Sequence, residues 1–236
     1  MASFNLAAAT ISPDSRRRYN FSGPWTYKLS IAIVGAVLVI AHPAPALGQS
    51  PADEIVQELR GLPTPLQAEM RSDGSIVPTE QRRRESYGRL RELGDDAVFA
   101  LARGLSDPDV QLRKNVALTL NTLGGTWFDR SHLKMDIRGA LLALMAALED
   151  SDTNVRAWSA QAIGQIGPDA AQAVPALIMM LTNGDEGSRN SACIALRGLG
   201  PAAKAALAAL RKARFDPSAD VRGFSKRAIE QIEGPH

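Results

Sequence analysis

The chain has 236 residues, 27 Lys+Arg against 25 Asp+Glu, a formal net charge of +2 and one cysteine. A single cysteine excludes an internal disulfide and a CxxC metal site. Residues 1–48 hold four of the bases and one of the acids, which leaves 23 bases, 24 acids and a net of −1 for the remainder. That balance excludes the broad positive field of a nucleic-acid binder.

In chain order, residues 1–28 form a basic region with Arg16, Arg17, Arg18 and Lys28. The uncharged run LSIAIVGAVLVIA follows over 29–41, then His42-Pro43 and the small-residue stretch from Ala44 to Gly48. Basic, apolar and small in that order is the layout of a secretory signal peptide. The run also falls short of the ~20 residues of a permanent bilayer span. The chain is therefore expected in the periplasm or outside the cell, with 1–48 removed by cleavage after Ala46 or Gly48. Ser15–Tyr19 faintly resembles a twin-arginine export signal. The alternative is an uncleaved segment that tethers the protein, which is the one membrane contact the sequence predicts. Residues 49–77, interrupted by Pro63 and Pro65, read as a linker and irregular N-terminal cap.

The repeat domain spans 78–236. Four segments align: DPDVQLRKNVALTLNTLG from Asp107, DSDTNVRAWSAQAIGQIG from Asp150, NGDEGSRNSACIALRGLG from Asn183 and DPSADVRGFSKRAIEQIE from Asp216. Arg113, Arg156, Arg189 and Arg222 share a column, as do Leu120, Ile163, Leu196 and Ile229. An upstream stripe, Leu101, Leu144, Leu177 and Leu210, keeps the same offsets of 43, 33 and 33 residues. Each stripe runs at i, i+3, i+4, i+7, so a unit is two amphipathic helices, A then B. Such a period marks a solenoid whose units bury their apolar faces only against neighbours. Asp107-Pro108 and Asp216-Pro217 are expected to cap B helices, with the proline first in the helix. Gly124, Gly167 and Gly200 are expected to end them in a left-handed conformation. A degenerate copy from Pro78 puts Arg83, Leu90 and Leu93 in register, and its A helix would have to come from 53–71. The count is four good units and one poor N-terminal unit.

The segments VRAWSAQAIGQIGPDA and AVPALIMMLTNGDEGSRNSACIALRGLG resemble HEAT-like repeats of the phycobilin-lyase type, over about residues 78–233. The resemblance implies an all-α, right-handed α-solenoid of antiparallel helix pairs with B helices on the concave side. It also implies that the column Arg83, Arg113, Arg156, Arg189 and Arg222 is structural, pairing with turn residues Asp107, Asp150 and Asp216 of neighbouring units. The fold hosts lyases, hydroxylases, DNA glycosylases and many binding modules, so function has to be argued from a site. The lyase relatives imply chromophore handling inside the cell, at odds with export.

Little in the chain suggests chemistry. His42, His132 and His236 are the histidines, and repeated His-Glu pairs are absent. His132 and His236 supply too few ligands for zinc, and Asp129, Ser131 and His132 are close only in sequence. No catalytic residue, metal or cofactor is expected. Cys193, in the column of Ala117 and Ala160, reads as a buried inert thiol. The informative departure is the ten-residue excess within 125–136, which gathers Trp127, Phe128, Arg130 and His132. Insertions in a solenoid fall in loops, and loops on a rigid scaffold collect binding residues; alternatively the aromatics cover a stretched seam between units. Trp158, in the column of Asn115, Ser191 and Phe224, is a second candidate, either open to the concave side or filling space beside Ser159 and Ala160. The reading is an exported, non-catalytic scaffold for a protein partner. The runner-up is a lyase-like enzyme or maturation factor. An apolar groove with a polar rim would favour the first, and converging buried polar groups the second.

Overall fold

The computed structural model describes residues 50–62, 78–125 and 135–234. The chain divides into two units, Met1–His42 and Pro43–His236, and every described residue belongs to the second. The regular elements described are all helices: α1 (Pro51–Glu58), α2 (Pro78–Glu92), α3 (Asp95–Gly104), α4 (Val110–Gly124), α5 (Leu141–Ala146), α6 (Thr153–Ile166), α7 (Val174–Asn183), α8 (Glu186–Leu199), α9 (Leu207–Ala213) and α10 (Ala219–Glu233). Short 3-10 turns extend α1 and flank α5, and longer ones, Gly167–Ala173 and Gly200–Ala206, lead into α7 and α9. The architecture is an all-α solenoid in which α3, α5, α7 and α9 are A helices and α4, α6, α8 and α10 are B helices.

The predicted stripes meet in the core. Leu101, Leu144, Leu177 and Leu210 of the A helices and Leu120, Ile163 and Leu196 of the B helices are fully buried. Ile229, in the same column, is only half-buried, because α10 ends the described stack. Neighbouring B helices touch backbone to backbone. A Cβ on Gly164 would sit 2.9 Å from the Ala195 Cα, and one on Gly198 would collide with the Gly164 carbonyl oxygen. Glycine at these two points permits the approach.

Three expectations about the turns change. The B-helix caps lie two residues beyond the turn residues Asp107, Asp150, Asn183 and Asp216 that the repeat alignment offers: Asp109 for α4, Asp152 for α6, Asp185 for α8 and Ser218 for α10. Asp107, Asp150 and Asp216 instead fold the turn, each accepting from the amide two residues on at 2.8–2.9 Å. This leaves their carboxylates facing the preceding unit. Second, Gly167 and Gly200 have positive φ, +79° and +55°, but Gly124 does not. Gly124 closes α4 with helical geometry, and a Cβ there would lie 2.5 Å from the Ile137 Cδ1; close packing explains this glycine. Third, residues 51–61 of the stretch read as linker and irregular cap are helical, with Ile55, Val56 and Leu59 in the core. The A helix of the poor unit thus starts at Pro51, under an N-cap from Ser50.

Candidate functional site

Two kinds of polar surface run along the stack. At the edge where A helices turn into B helices, arginines reach forward from unit to unit. Arg113 holds Asp150 in a two-bond fork, Nε to Oδ2 at 2.7 Å and Nη2 to Oδ1 at 3.1 Å. Arg189 holds Asp216 in the same way at 2.7 and 2.9 Å. The turn before α8 has Asn183 where the others have aspartate, so Arg156 goes to the cap residue Asp185 and to the Ser188 hydroxyl. Each arginine also donates to carbonyls of its own turn, as Arg156 does to Asp150 and Ser151. Among the described residues, Arg222 makes only that second set.

Arg83 does not take the first rung. Arg60, at the end of the first A helix, binds Asp107 at 2.9 Å and Asp109 at 3.0 Å. Arg83 is buried in α2 and donates to the Asn115 side-chain oxygen, while the Asn115 amide donates to the Leu59 and Leu62 carbonyls. The place on Asp107 that the next rung would use is held by Arg60. Arg60 lies outside the aligned column, and nothing in the repeat pattern marks it.

The carboxylates answer to this wiring. Arg189 first, and then the Ser218 amide, hold Asp216 below its ordinary value. Burial pushes Asp150 up, but the hydrogen bond from Arg113 and the Asp152 amide outweigh it. At Asp185 burial is likewise outweighed, by the Ser188 amide and hydroxyl, Thr153 and Arg156, and the group sits at about 2. Burial raises Cys193 to about 12, which leaves a protonated, weakly nucleophilic thiol.

The B helices carry the second surface. Along α6, Asn154, Trp158, Gln161 and Gln165 fall at helical spacing on one face and are all half-buried. The Asn121 amide donates to Gln161 at 3.2 Å, and the Gln161 amide to the Ser191 hydroxyl at 3.4 Å, which links α4, α6 and α8. The Asn121 and Asn190 side-chain oxygens have no donor among the described residues. Lys114 and Asp152 pair at 3.3 Å beside this stripe. Trp158 packs against the core while keeping part of its ring open. Asn115 and Ser191 of its column are buried, whereas Phe224 is half-buried under the Arg227 guanidinium, 5.4 Å from the ring centroid.

Trp127, Phe128, Arg130 and His132 lie outside the described residues, as does His236. The roots of their insertion are described. The Met135 amide donates to the Leu123 carbonyl at 2.7 Å, and Gly125 to Thr122, so the two ends lie together at the C-terminus of α4. Beside them is a depression of about 330 Å³ lined by Met135, Ile137, Arg138, Gln165, Ile166 and Asp169. Its charges are tied, Arg138 bridging Asp136 and Asp169. Gln165 belongs both to the depression and to the α6 stripe. Trp158 is roughly 10 Å of helix rise away, so the structure joins Trp158 to the root of the insertion along one surface.

That surface is not an apolar groove with a polar rim: the part-buried polar side chains of Asn121, Gln161 and Ser191 converge on it, the feature set against the scaffold reading, although none of them titrates. Amides and an indole dominate it. Among the described residues, no group of three or more His, Cys, Asp or Glu could hold a metal ion.

Residues 137–233 match the family described as HEAT repeats. Over that stretch the chain is similar to HEAT repeats. No curated protein matches the sequence significantly. Two designed armadillo repeat proteins share its fold at a TM-score of 0.51. One, in complex with the peptide (KR)4, is 18% identical, with 79% of this chain and 84% of that one covered. The other, computationally designed for modular peptide recognition, is 19% identical, with 76% and 90% covered. The complex of CpcE and CpcF of phycocyanin lyase from Nostoc sp. PCC7120 reaches a TM-score of 0.49 at 21% identity, over 82% of this chain and 69% of that one. At these identities the likeness is one of fold.

Proposed function

We propose that this protein is an exported, non-catalytic HEAT-repeat scaffold that holds an extended stretch of a partner protein along its B helices. The observation that carries the reading is the amide stripe of α6, continuous from Trp158 to the root of the insertion. Amide side chains offer both a donor and an acceptor, the pair an extended polypeptide backbone presents, and neither they nor an indole titrates near neutral pH. Trp158 adds an amphipathic ring of the type that anchors interfaces. Peptide binding by a designed solenoid of similar fold is consistent with this use. Export rests on the basic, apolar and small-residue layout of residues 1–48.

Capture of partners by the exported protein, with mass spectrometry, identifies the ligand. The double substitution Gln161→Ala/Gln165→Ala then tests the stripe. Binding should weaken by at least about 2 kcal/mol, the scale of a hot spot, beyond the loss of about 1–2 kcal/mol in stability expected from the two Gln161 bonds; unchanged binding refutes the stripe. N-terminal sequencing of protein from the native host should find a start near Leu47 or Gln49. A soluble cytoplasmic form beginning at Met1 or Ala2 would refute export.

A further inference from the structure

The outer side of the last A helix departs from every other unit. Between Gly200 and Phe215 there are four bases, Lys204, Arg211, Lys212 and Arg214, and no acid. All four are exposed. Arg211 is bridged to Glu233 at 2.7 Å, while Lys204 and Lys212 are exposed along the helix and its lead-in turn and Arg214 is exposed at its open end. The turn that follows carries Phe215, 86% exposed. In the repeat alignment the column of Phe215 otherwise holds Ser106, Glu149 and Thr182, all polar, and that of Arg214 holds Leu105, Leu148 and Leu181, all buried. The end of the stack accounts for the loss of the buried leucine, since no further unit is described for it to pack on. It does not account for an exposed aromatic ring at a position where the other units place polar residues. The turn itself is well made, with Phe215 donating to the Lys212 carbonyl at 3.0 Å and Asp216 to Ala213 at 3.1 Å, so the ring is held out by an ordered backbone.

We propose that this face docks on an anionic lipid bilayer, with Phe215 entering the headgroup region and Lys204, Lys212 and Arg214 on lipid phosphates. Several unpaired bases of one sign around an exposed aromatic are the chemistry of an interfacial contact. A single-stranded nucleic acid could use the bases and stack on the ring, but it would make no use of the further apolar side chains that the other A helices expose. The same A-helix side also exposes Phe99, Leu142 and Met179, at 53%, 73% and 63%, so the apolar character does not stop at Phe215. This contact is separate from the amide stripe, and either can fail alone.

The test is flotation of the mature chain from Gln49, which lacks the basic 1–28 and apolar 29–41 segments, with vesicles of pure phosphatidylcholine and of equal parts phosphatidylglycerol and phosphatidylcholine. The wild-type chain should partition at least tenfold better onto the anionic vesicles, with the excess lost in 0.5 M salt, as screening requires. Lys204→Glu/Lys212→Glu/Arg214→Glu should abolish the excess, and Phe215→Ser should reduce it several-fold, both with unchanged helical melting. Equal partition of the wild type onto both vesicles, or an excess that survives the triple substitution, overturns the proposal. So does a wild type indifferent to lipid whose triple variant instead loses an acidic protein from the captured set.

Discussion

Along the A-to-B edge of the stack each step is closed by a side chain, whereas along the B-to-A edge the steps are closed by backbone. Arg113 and Arg189 reach into the next turn and fork onto an aspartate whose backbone position is fixed by its own turn. On the other edge Gly167 and Gly200 take positive φ and Pro168 and Pro201 prevent the helix from continuing. A side-chain link tolerates substitution of its partner, as when Arg156 exchanges a turn aspartate for the cap Asp185. A backbone link tolerates insertion instead. The ten-residue excess enters on that edge, at Gly124, where no positive φ has to be kept. Among the units that make the arginine rung the extra length thus falls on the backbone edge, whereas the first unit, whose Arg83 makes no such rung, carries a long connection between α1 and α2 on the other edge.

The largest effect should come from the most enclosed rung. In Arg113→Ala the Asp150 side chain, 9% exposed, keeps the Asp152 amide but loses both guanidinium bonds. Stability should fall by about 3 kcal/mol, the low end for breaking a buried pair. Urea titration measures it, and a loss below about 1 kcal/mol would mean the side-chain edge does not hold units together. On the other edge, Gly167→Ala should cost about 1–2 kcal/mol, because alanine at positive φ is strained whatever the space around it. A neutral result there would show that the turn relaxes and that the backbone link is soft.

Much of this contrast is legible in the sequence. The stripes Leu101 to Leu210 and Leu120 to Ile229 locate both helices of every good unit, because stacking forces one apolar spacing on all of them. What the sequence hides is which of two nearby acids does which task. Asp107 and Asp109 differ by two residues, and only the fold shows that the second caps the helix while the first turns the chain and takes the rung. Arg60 is hidden for a related reason: it performs a repeated task from a segment that does not repeat. The amide stripe is visible as residues but not as a surface, since Asn121, Gln161 and Ser191 occupy different repeat columns and meet only because adjacent units are staggered. The tryptophan of α6 stands out by type, yet its half-buried setting follows from packing no column reports.

A smaller effect belongs to the rung with a substitute partner. Asp185 is 43% exposed, so Arg156→Ala should cost only about 1 kcal/mol after solvent screening. The pH dependence sharpens the test. The folded-state value of Asp185 is depressed to about 2, so its contribution is complete above the unfolded value near 4 and is lost as the pH falls toward 2. The Ser188 amide does more of this lowering than Arg156, so the acid limb of the stability profile should shift only slightly upward in Arg156→Ala. A large shift would assign the depression to the guanidinium and make this rung equal to its neighbours.

The smallest effect separates the two tasks each arginine performs. Arg222 donates Nη1 to the Asp216 and Pro217 carbonyls at 2.7 and 2.8 Å, as Arg113 does to Asp107 and Pro108, but no described unit lies ahead of it. It keeps the turn-bracing half of the column and lacks the forward rung. It is also exposed, so solvent can satisfy the two carbonyls once the side chain is gone. Arg222→Ala should therefore change stability by no more than about 0.5 kcal/mol, as for ordinary surface substitutions. If urea titration instead finds a loss close to that of Arg113→Ala, the arginines act by bracing their own turns. The Asp150 and Asp216 forks would then follow from good turn geometry and would not bind one unit to the next.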